Sequence, residues 1–390
     1  MRKSDKIRRR LSWIGWVFVV ITMAAALAAV RAQAAMLVVL FGGMLGALLV
    51  NWRMSRSMVA SLRLRRDVVD RVWQGQTVHV GYFLRNPKPG RSALGLTIDE
   101  VGTVGIQSAG GYCVVLPAGR AFRAGGRLVC HHRGRIRLGK CRVRSSFPFG
   151  FVTAWRTFHQ AVTVIVWPAR GTLKRQLLRR GAVETSSASA SLVSGGQDEF
   201  FGLREYRGGD DNPRWIHWRK SASRTVPVVR EMARPLPETL WVILDTHIPA
   251  VGGAVVEAQD YLETQLSFAA TLIDHAFVRG YQVGLALGSG SRCVVLPPGG
   301  ALAKRTSLLD ALAEAANTTR RLSDVLAAIP RGAMHTSQVV VVTPSMSAAA
   351  DALTRLRPCC RHVSVVDRDT LADFFTPAPP ITPEEASDAS

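Results

Sequence analysis

The sequence predicts a multidomain membrane protein: a two-helix transmembrane hairpin, an antiparallel β-sandwich-like module, then an α/β doubly wound domain. Three observations carry that prediction. Two uncharged apolar runs, 11–30 and 34–50, follow one another near the N-terminus. Between 68 and 167 the apolar residues alternate with polar ones, and Gly and Pro punctuate them at short intervals. From 239 onward short buried-type runs alternate with amphipathic helical stretches. A chain of 390 residues has room for two or three compact units.

Composition narrows the function classes. A hydrophobic fraction of 47% excludes wholesale disorder. The formal net charge of +22 fits either a nucleic-acid binder or a membrane protein with a basic cytoplasmic side. Six cysteines without a CxxC pair give neither a disulfide scaffold nor a zinc ribbon. Cys130, His131, His132 and Cys141 could form a metal cluster, but they also fit the alternation of an ordinary hairpin. No cofactor is expected.

Each apolar run is long enough to cross a bilayer as a helix, since about 20 residues span the hydrocarbon core. Gly42 and Gly46 form a GxxxG face that would allow close helix contact. Six basic residues precede the first run and Arg53, Arg56, Arg63, Arg65 and Arg66 follow the second, whereas the connecting turn has Arg31 alone. The positive-inside rule then places both termini and the main domains in the cytoplasm. Ala32-Gln33-Ala34 resembles a signal-peptidase site. The first run is longer than a typical signal h-region, and a second span follows at once, which favours an uncleaved hairpin. Anionic headgroups of the inner leaflet then become ordinary partners for the basic charge.

In the second region Val78, Val80, Tyr82 and Leu84 alternate with His79, Gly81, Phe83 and Arg85, which predicts a strand. Further strands are expected at 94–101, 112–116, 127–131, 139–144 and 162–167. No acid/base pair stands out, so a scaffold or protein-binding module is the expectation. Residues 171–198 read as a flexible, basic and Ser-rich connector.

The stretch 199–231 is the densest in the chain: Gly202, Arg204 and Tyr206 lead to Gly208-Gly209-Asp210-Asp211, then Arg214, Ile216, His217, Trp218 and Arg219, and finally Arg230-Glu231. Two glycines together permit a tight turn. Asp210 and Asp211 lie among arginines that can pair with them bidentately. Trp215 and Trp218 offer large apolar bodies, so the stretch reads as a structural clasp. An enzymatic alternative, a hydrolase or phosphoesterase, would use His217 as base with Asp210 or Asp211 as orienter and Ser221 or Ser223 as nucleophile. No G-x-S-x-G elbow surrounds either serine. Phosphate binding through the arginines and the glycine turn, or stacking of single-stranded nucleic acid, are further options; the membrane anchor argues against the last.

The glycine-leucine-arginine-glutamate-tyrosine run, the glycine-aspartate pair and the isoleucine-histidine-tryptophan-arginine core of this stretch resemble the signature of the domain of unknown function 58 family. The resemblance extends to the order of parts: two spans, a β-rich region with a Pro148-Phe149-Gly150 turn, the signature, then a von Willebrand factor A-like domain. Phe147 departs from it, because the family usually has Asp before that turn. The resemblance implies a partner, a MoxR-type AAA+ ATPase, and a setting in complex maturation or cell-envelope processes.

For the last domain, strands are expected at 239–244, 281–287, 292–296, 338–342 and 362–366, and helices at 254–278, 301–316, 322–329 and 348–357. A von Willebrand factor A domain ends its first strand in aspartate-x-serine-x-serine, which holds a divalent ion through oxygens. Here Asp245 matches, while His247 and Pro249 occupy the serine positions. A degenerate metal site is expected, with Asp245 its weak candidate and no metal bound. The top of the sheet is the expected docking face. The domain boundaries are 1–53 for the hairpin, 54–170 for the β-module, 171–198 for the connector, 199–235 for the signature, 236–374 for the α/β domain and 375–390 for a disordered tail. The combined expectation is a non-enzymatic membrane-anchored adaptor.

Overall fold

A computed structural model describes residues 6–102, 105–174, 177–178, 192–207, 213–235, 238–248, 255–330, 332–335 and 337–378. The chain divides into two compact units with the main boundary between residues 171 and 172.

The first unit begins with a strand, β1 (Arg8–Leu11), and two helices, α1 (Trp13–Ala32) and α2 (Ala35–Val59), both long and apolar enough to cross a membrane. Ser12 caps α1, its hydroxyl accepting from the Gly15 N–H at 3.0 Å. Large apolar side chains point outward along both helices, including Ile21, Met23, Val30, Met36 and Val39. The Gly42–Gly46 face is open: a Cβ built at either glycine meets nothing within 4 Å among the described residues. Nor does α2 stop at the end of the apolar run. It continues to Val59, because Asn51, Ser55, Met58 and Val59 recur on one helix face and are all buried.

That face enters a β-sandwich. One sheet has the order β1, β10 (Val152–Trp167), β9 (Gly134–Ser145), β5 (Ala93–Val101), β7 (Gly111–Leu116), with β3 (Arg71–Trp73) parallel to β10. The other has the order β2 (Arg63–Asp67), β4 (Thr77–Arg85), β8 (Ala121–Cys130), β6 (Ile106–Ala109). Inward residues of both sheets, such as Val80, Tyr82 and Leu84 from one and Leu96, Ile98 and Val143 from the other, share one core with Met58, Val59 and Leu62. Cys130 and Cys141 belong to that core, and among the described residues no group of three His, Cys, Asp or Glu could hold a metal ion.

The N-terminal basic run is thus an edge strand as well as a flank of the hairpin: Arg8 pairs with Trp155 and Leu11 with Val152. Three further contacts fix the helices to the sandwich. The Ser12 hydroxyl donates to the Gly150 carbonyl at 2.6 Å. The Asn51 side chain, fully buried, accepts from the Val152 N–H at 2.7 Å. Phe18 stacks on Phe151 with ring centroids 4.1 Å apart.

The second unit starts in the connector. β11 (Gly171–Leu173) pairs with β19 (Phe375–Pro377), so the start of the supposed tail is ordered, and Phe375 is buried edge-on against Phe268. Residues 379–390 of that tail lie outside the described residues. β12 (Leu192–Glu205) and β13 (Val228–Pro235) form an antiparallel hairpin that carries the signature. A five-stranded sheet follows, in the order β16 (Arg292–Gly299), β15 (Gln282–Ser289), β14 (Thr239–Leu244), β17 (Gln338–Val342), β18 (His362–Val366), parallel except for β16.

Its inner strands β15, β14 and β17 are near-continuous hydrophobic runs because both of their faces are covered. Trp241, Ile243, Val339 and Val341 pack on α6 (Leu322–Ala327) and α7 (Met346–Leu356). Leu240, Val242 and Leu244 point the other way and are also fully buried, and α4 (Val255–Val278) packs on β14 and β15. α5 (Leu302–Glu314) and α8 (Arg368–Phe374) complete the helices, the last unforeseen in the sequence.

Candidate functional site: the C-terminal edge of the parallel sheet

In an open α/β sheet the strand ends leave backbone groups and loops free to form a site at the carboxyl edge. Asp245 directly follows β14 and is 6% exposed. One carboxylate oxygen accepts from the His247 N–H at 3.2 Å and the other from the Thr343 hydroxyl at 3.1 Å. Asp245 therefore ties the loop after β14 to the loop after β17. Burial pushes its carboxyl above the ordinary carboxylate value, while the His247 N–H and the Thr343 hydroxyl draw it back.

Around this pair the polar groups serve the backbone. Thr246 donates to the Gly288 carbonyl at 2.7 Å. The Gln265 amide nitrogen donates to the carbonyls of Asp245 and Val342 at 3.0 and 3.1 Å. Tyr261 donates to the Thr343 carbonyl at 2.9 Å, and its burial raises its phenol further. The His247 ring meets the Thr318 carbonyl through Nδ1 at 2.8 Å. A carbonyl can only accept, so Nδ1 is the donor in that contact. At the rim, Ser345 and Ser347 share a 2.7 Å hydrogen bond and Met346 is exposed.

This donor set fits a metal poorly. A hard divalent cation takes six or more oxygens. Asp245 gives both of its oxygens to protein donors, and His247 brings a nitrogen where the aspartate-x-serine-x-serine pattern has a hydroxyl. Pro249 lies outside the described residues. What the edge offers chemically is a buried polar clasp between two loops, with His247 half-buried beside it and Met346 and Ser347 exposed at the rim.

The signature hairpin is built separately. Gly202 faces Glu231, Leu203 faces Arg230 and Arg204 faces Val229 in the β12–β13 register. The Tyr206 N–H donates to the Pro227 carbonyl at 2.8 Å. Arg214 lies in a single 3₁₀ turn, Pro213–Trp215, and Ile216 forms a β-bridge with Val229. His217 caps α3 (Trp218–Ser221), its Nδ1 accepting from the Lys220 N–H at 3.3 Å. The Ser221 hydroxyl accepts from the Val228 N–H at 2.8 Å and donates to the His217 carbonyl at 3.1 Å, so it is engaged by backbone and not by the imidazole. Ser223 donates to the Lys220 carbonyl at 3.1 Å. Trp218, read from sequence as one of the clasp's apolar bodies, is 68% exposed, and Arg219 and Arg230 are exposed with it. Gly209, Asp210 and Asp211 lie outside the described residues.

Sequence reasoning passed over Thr343, Gln265 and Tyr261. Thr343 had a usable signal: it ends the buried run 338–342, and polar residues at the carboxyl ends of parallel strands are where such sheets build sites. Gln265 and Tyr261 sit inside an amphipathic helix pattern and carry no local signal.

Residues 202–369, from the signature hairpin to the start of α8, match the family described as "Protein of unknown function DUF58". No curated protein matches the chain.

Proposed function

We propose that the protein is a non-enzymatic, membrane-anchored adaptor. Its second unit is read as a doubly wound, von Willebrand factor A-like domain that docks a protein partner at the carboxyl edge of its sheet. The partner suggested by the resemblance is a MoxR-type AAA+ ATPase, in complex maturation or cell-envelope processes. Both termini and both units face the cytoplasm, by the distribution of basic residues around the two apolar helices.

The observation that carries this reading is the junction between helices and sandwich. Two helices whose apolar side chains face outward have the length and composition that a bilayer accommodates. They are fixed to the sandwich by β-pairing, Ser12 and Asn51, which suits a part that must hold other parts at a set place on a membrane. The non-enzymatic reading is supported by the serines at 221 and 223, whose hydroxyls bond backbone groups.

The test is crosslinking in native membranes followed by capture of the full-length chain, with Met346→Asp and His247→Ala as surface variants at the sheet edge. Recovery of an AAA+ ATPase that falls with Met346→Asp is the expected outcome. Recovery unaffected by either variant moves the docking face elsewhere. Turnover of ester or phosphoester substrates that His217→Ala abolishes, with the fold intact, would replace the adaptor by the hydrolase.

A further inference from the structure

Where α1 leaves the sandwich there is a cleft of about 500 Å³, within the size range of small-ligand sites. Its walls come from two sources. From the sheet come Arg10, Arg142, Arg144 and Trp155; from the first turn of α1 come Trp13 and Trp16. Strand register explains why the sheet residues meet. Arg144 lies opposite Trp155 across β9–β10, and Arg10 lies opposite Thr153 across β1–β10, so the side chains share one sheet face.

The cleft is electropositive. Arg144 pairs with Asp99 at 3.2 Å, which offsets one of three guanidinium charges. Asp99 also lies opposite Arg142 in the β5–β9 register. The Arg142 guanidinium stands 5.7 Å from the Trp155 ring centroid, and its Nε is shielded from solvent with no hydrogen-bond partner. Planar guanidinium groups bind phosphate bidentately, and the cleft lining brings three of them together.

The tryptophans say which phosphate. Trp13 and Trp16 are 82% and 59% exposed at the point where the apolar helix begins. Indoles at that level sit at the headgroup boundary, apolar body inward and N–H toward water. A free anion has no use for an exposed apolar wall beside its site, whereas a lipid brings a phosphate and the beginning of its acyl chains together.

We propose that this cleft binds the headgroup phosphate of an anionic phospholipid, which seats between Arg10, Arg142 and Arg144 while its glycerol and upper acyl region lie against Trp13 and Trp16. The assignment rests on the membrane reading of α1 and α2. Bound lipid then fixes the depth and rotation of the sandwich at the bilayer surface.

The experiment uses the full-length chain released from detergent micelles in native mass spectrometry. Phosphatidylglycerol and phosphatidylcholine are offered with matched acyl chains, and inorganic phosphate is added in excess as a competitor. Alkaline extraction of membranes is run on the same proteins. Phosphatidylglycerol adducts are expected to outnumber phosphatidylcholine adducts. The Arg142→Gln, Arg144→Gln double variant is expected to lower them about tenfold or more, whereas an Arg63→Gln, Arg85→Gln control on the other sheet leaves them nearly unchanged. Equal retention of the two lipids by the wild type overturns the proposal without recourse to any variant. So does an equal loss in the control, or full displacement by inorganic phosphate, which would mark a free-anion site. If alkaline extraction releases the wild-type chain, the membrane reading itself has failed. If the chain stays in the membrane and shows no headgroup preference, only the cleft assignment has.

Discussion

The two units bury polar groups in different places and to different ends. The sandwich places an ion pair in its core: Arg66 and Glu100 meet at 3.2 Å with side chains 0% and 3% exposed. Tyr82 donates to Glu100 at 3.1 Å, and the Arg66 guanidinium donates to the Gln160 carbonyl at 2.9 Å. The parallel sheet keeps its strand interiors apolar and gathers Asp245, Gln265 and Thr343 at one edge. A polar cluster in the middle of a core can fix strand register. A polar cluster at a strand-end edge fixes loops and leaves a surface. The contrast teaches where to look for docking, and it can be broken or sharpened by substitution.

The largest effect is expected in the sandwich. Burial pushes the Glu100 carboxyl up and Arg66 pulls it back, so removing Arg66 strands a buried acid. Arg66→Ala should cost about 3–5 kcal/mol, while an Arg66→Met, Glu100→Leu pair, which takes away only the partners of the Tyr82 hydroxyl and the Gln160 carbonyl, should cost less, about 1–3 kcal/mol. Chemical denaturation of the detergent-solubilised full chain, followed by tryptophan fluorescence, reads both. If the double variant is as damaged as the single one, the pair contributes more than mutual neutralisation.

Next comes the junction between helices and sandwich. A Cβ at Gly15 would collide with the Phe151 carbonyl oxygen, so Gly15→Ala must shift α1 against the sheet. Asn51→Ala removes the acceptor of the Val152 N–H and leaves that donor buried, a loss of about 1–3 kcal/mol. Both should lower the thermal midpoint of the solubilised protein, and both should loosen protease protection of residues 147–151.

How far these features were legible in the sequence follows the same contrast. The parallel strands at 239–244 and 338–342 were readable because strands buried on both faces are written as near-continuous apolar runs, and the half-buried edge strand at 362–366 kept enough valines to be read with them. Asp245 was readable as the residue that ends such a run. β1 and β2 were not, since RRRL and RLRRD read as solvated charge. What makes Arg66 a core residue is Glu100, far along the chain, and no local pattern announces that pairing. The continuation of α2 through Asn51, Ser55, Met58 and Val59 did leave a helical stripe, but the charges at Arg53 and Arg56 between them mask it.

At the sheet edge the expected effect is smaller and depends on pH. The Asp245 carboxyl is held above its unfolded value, so folding binds its proton more tightly. Its contribution is fully present below the unfolded pKa and is lost as pH rises through the raised folded value. Asp245→Asn keeps an acceptor for the His247 N–H and removes that loss. Relative to wild type, the variant should therefore gain stability as pH rises from the ordinary carboxylate range through the raised folded value, by about 1 kcal/mol. Denaturation midpoints across that pH range decide it; a difference independent of pH would mean that Asp245 keeps its proton or its charge throughout.

The smallest effect on stability is expected at the most conspicuous aromatic of the signature. Trp218 projects from α3 with 68% of its surface exposed, and substitutions at such sites stay within about 0.5 kcal/mol unless they break a named contact. Trp218→Ala should leave the denaturation midpoint in place. An exposed tryptophan beside exposed arginines is also the composition of a binding hot spot, where large aromatics and Arg dominate. If Trp218→Ala lowers partner recovery while Met346→Asp does not, docking belongs to the signature hairpin and the sheet edge is a loop clasp. If Met346→Asp alone lowers it, Asp245 and Thr343 hold the surface that the partner reads, and the hairpin has another task.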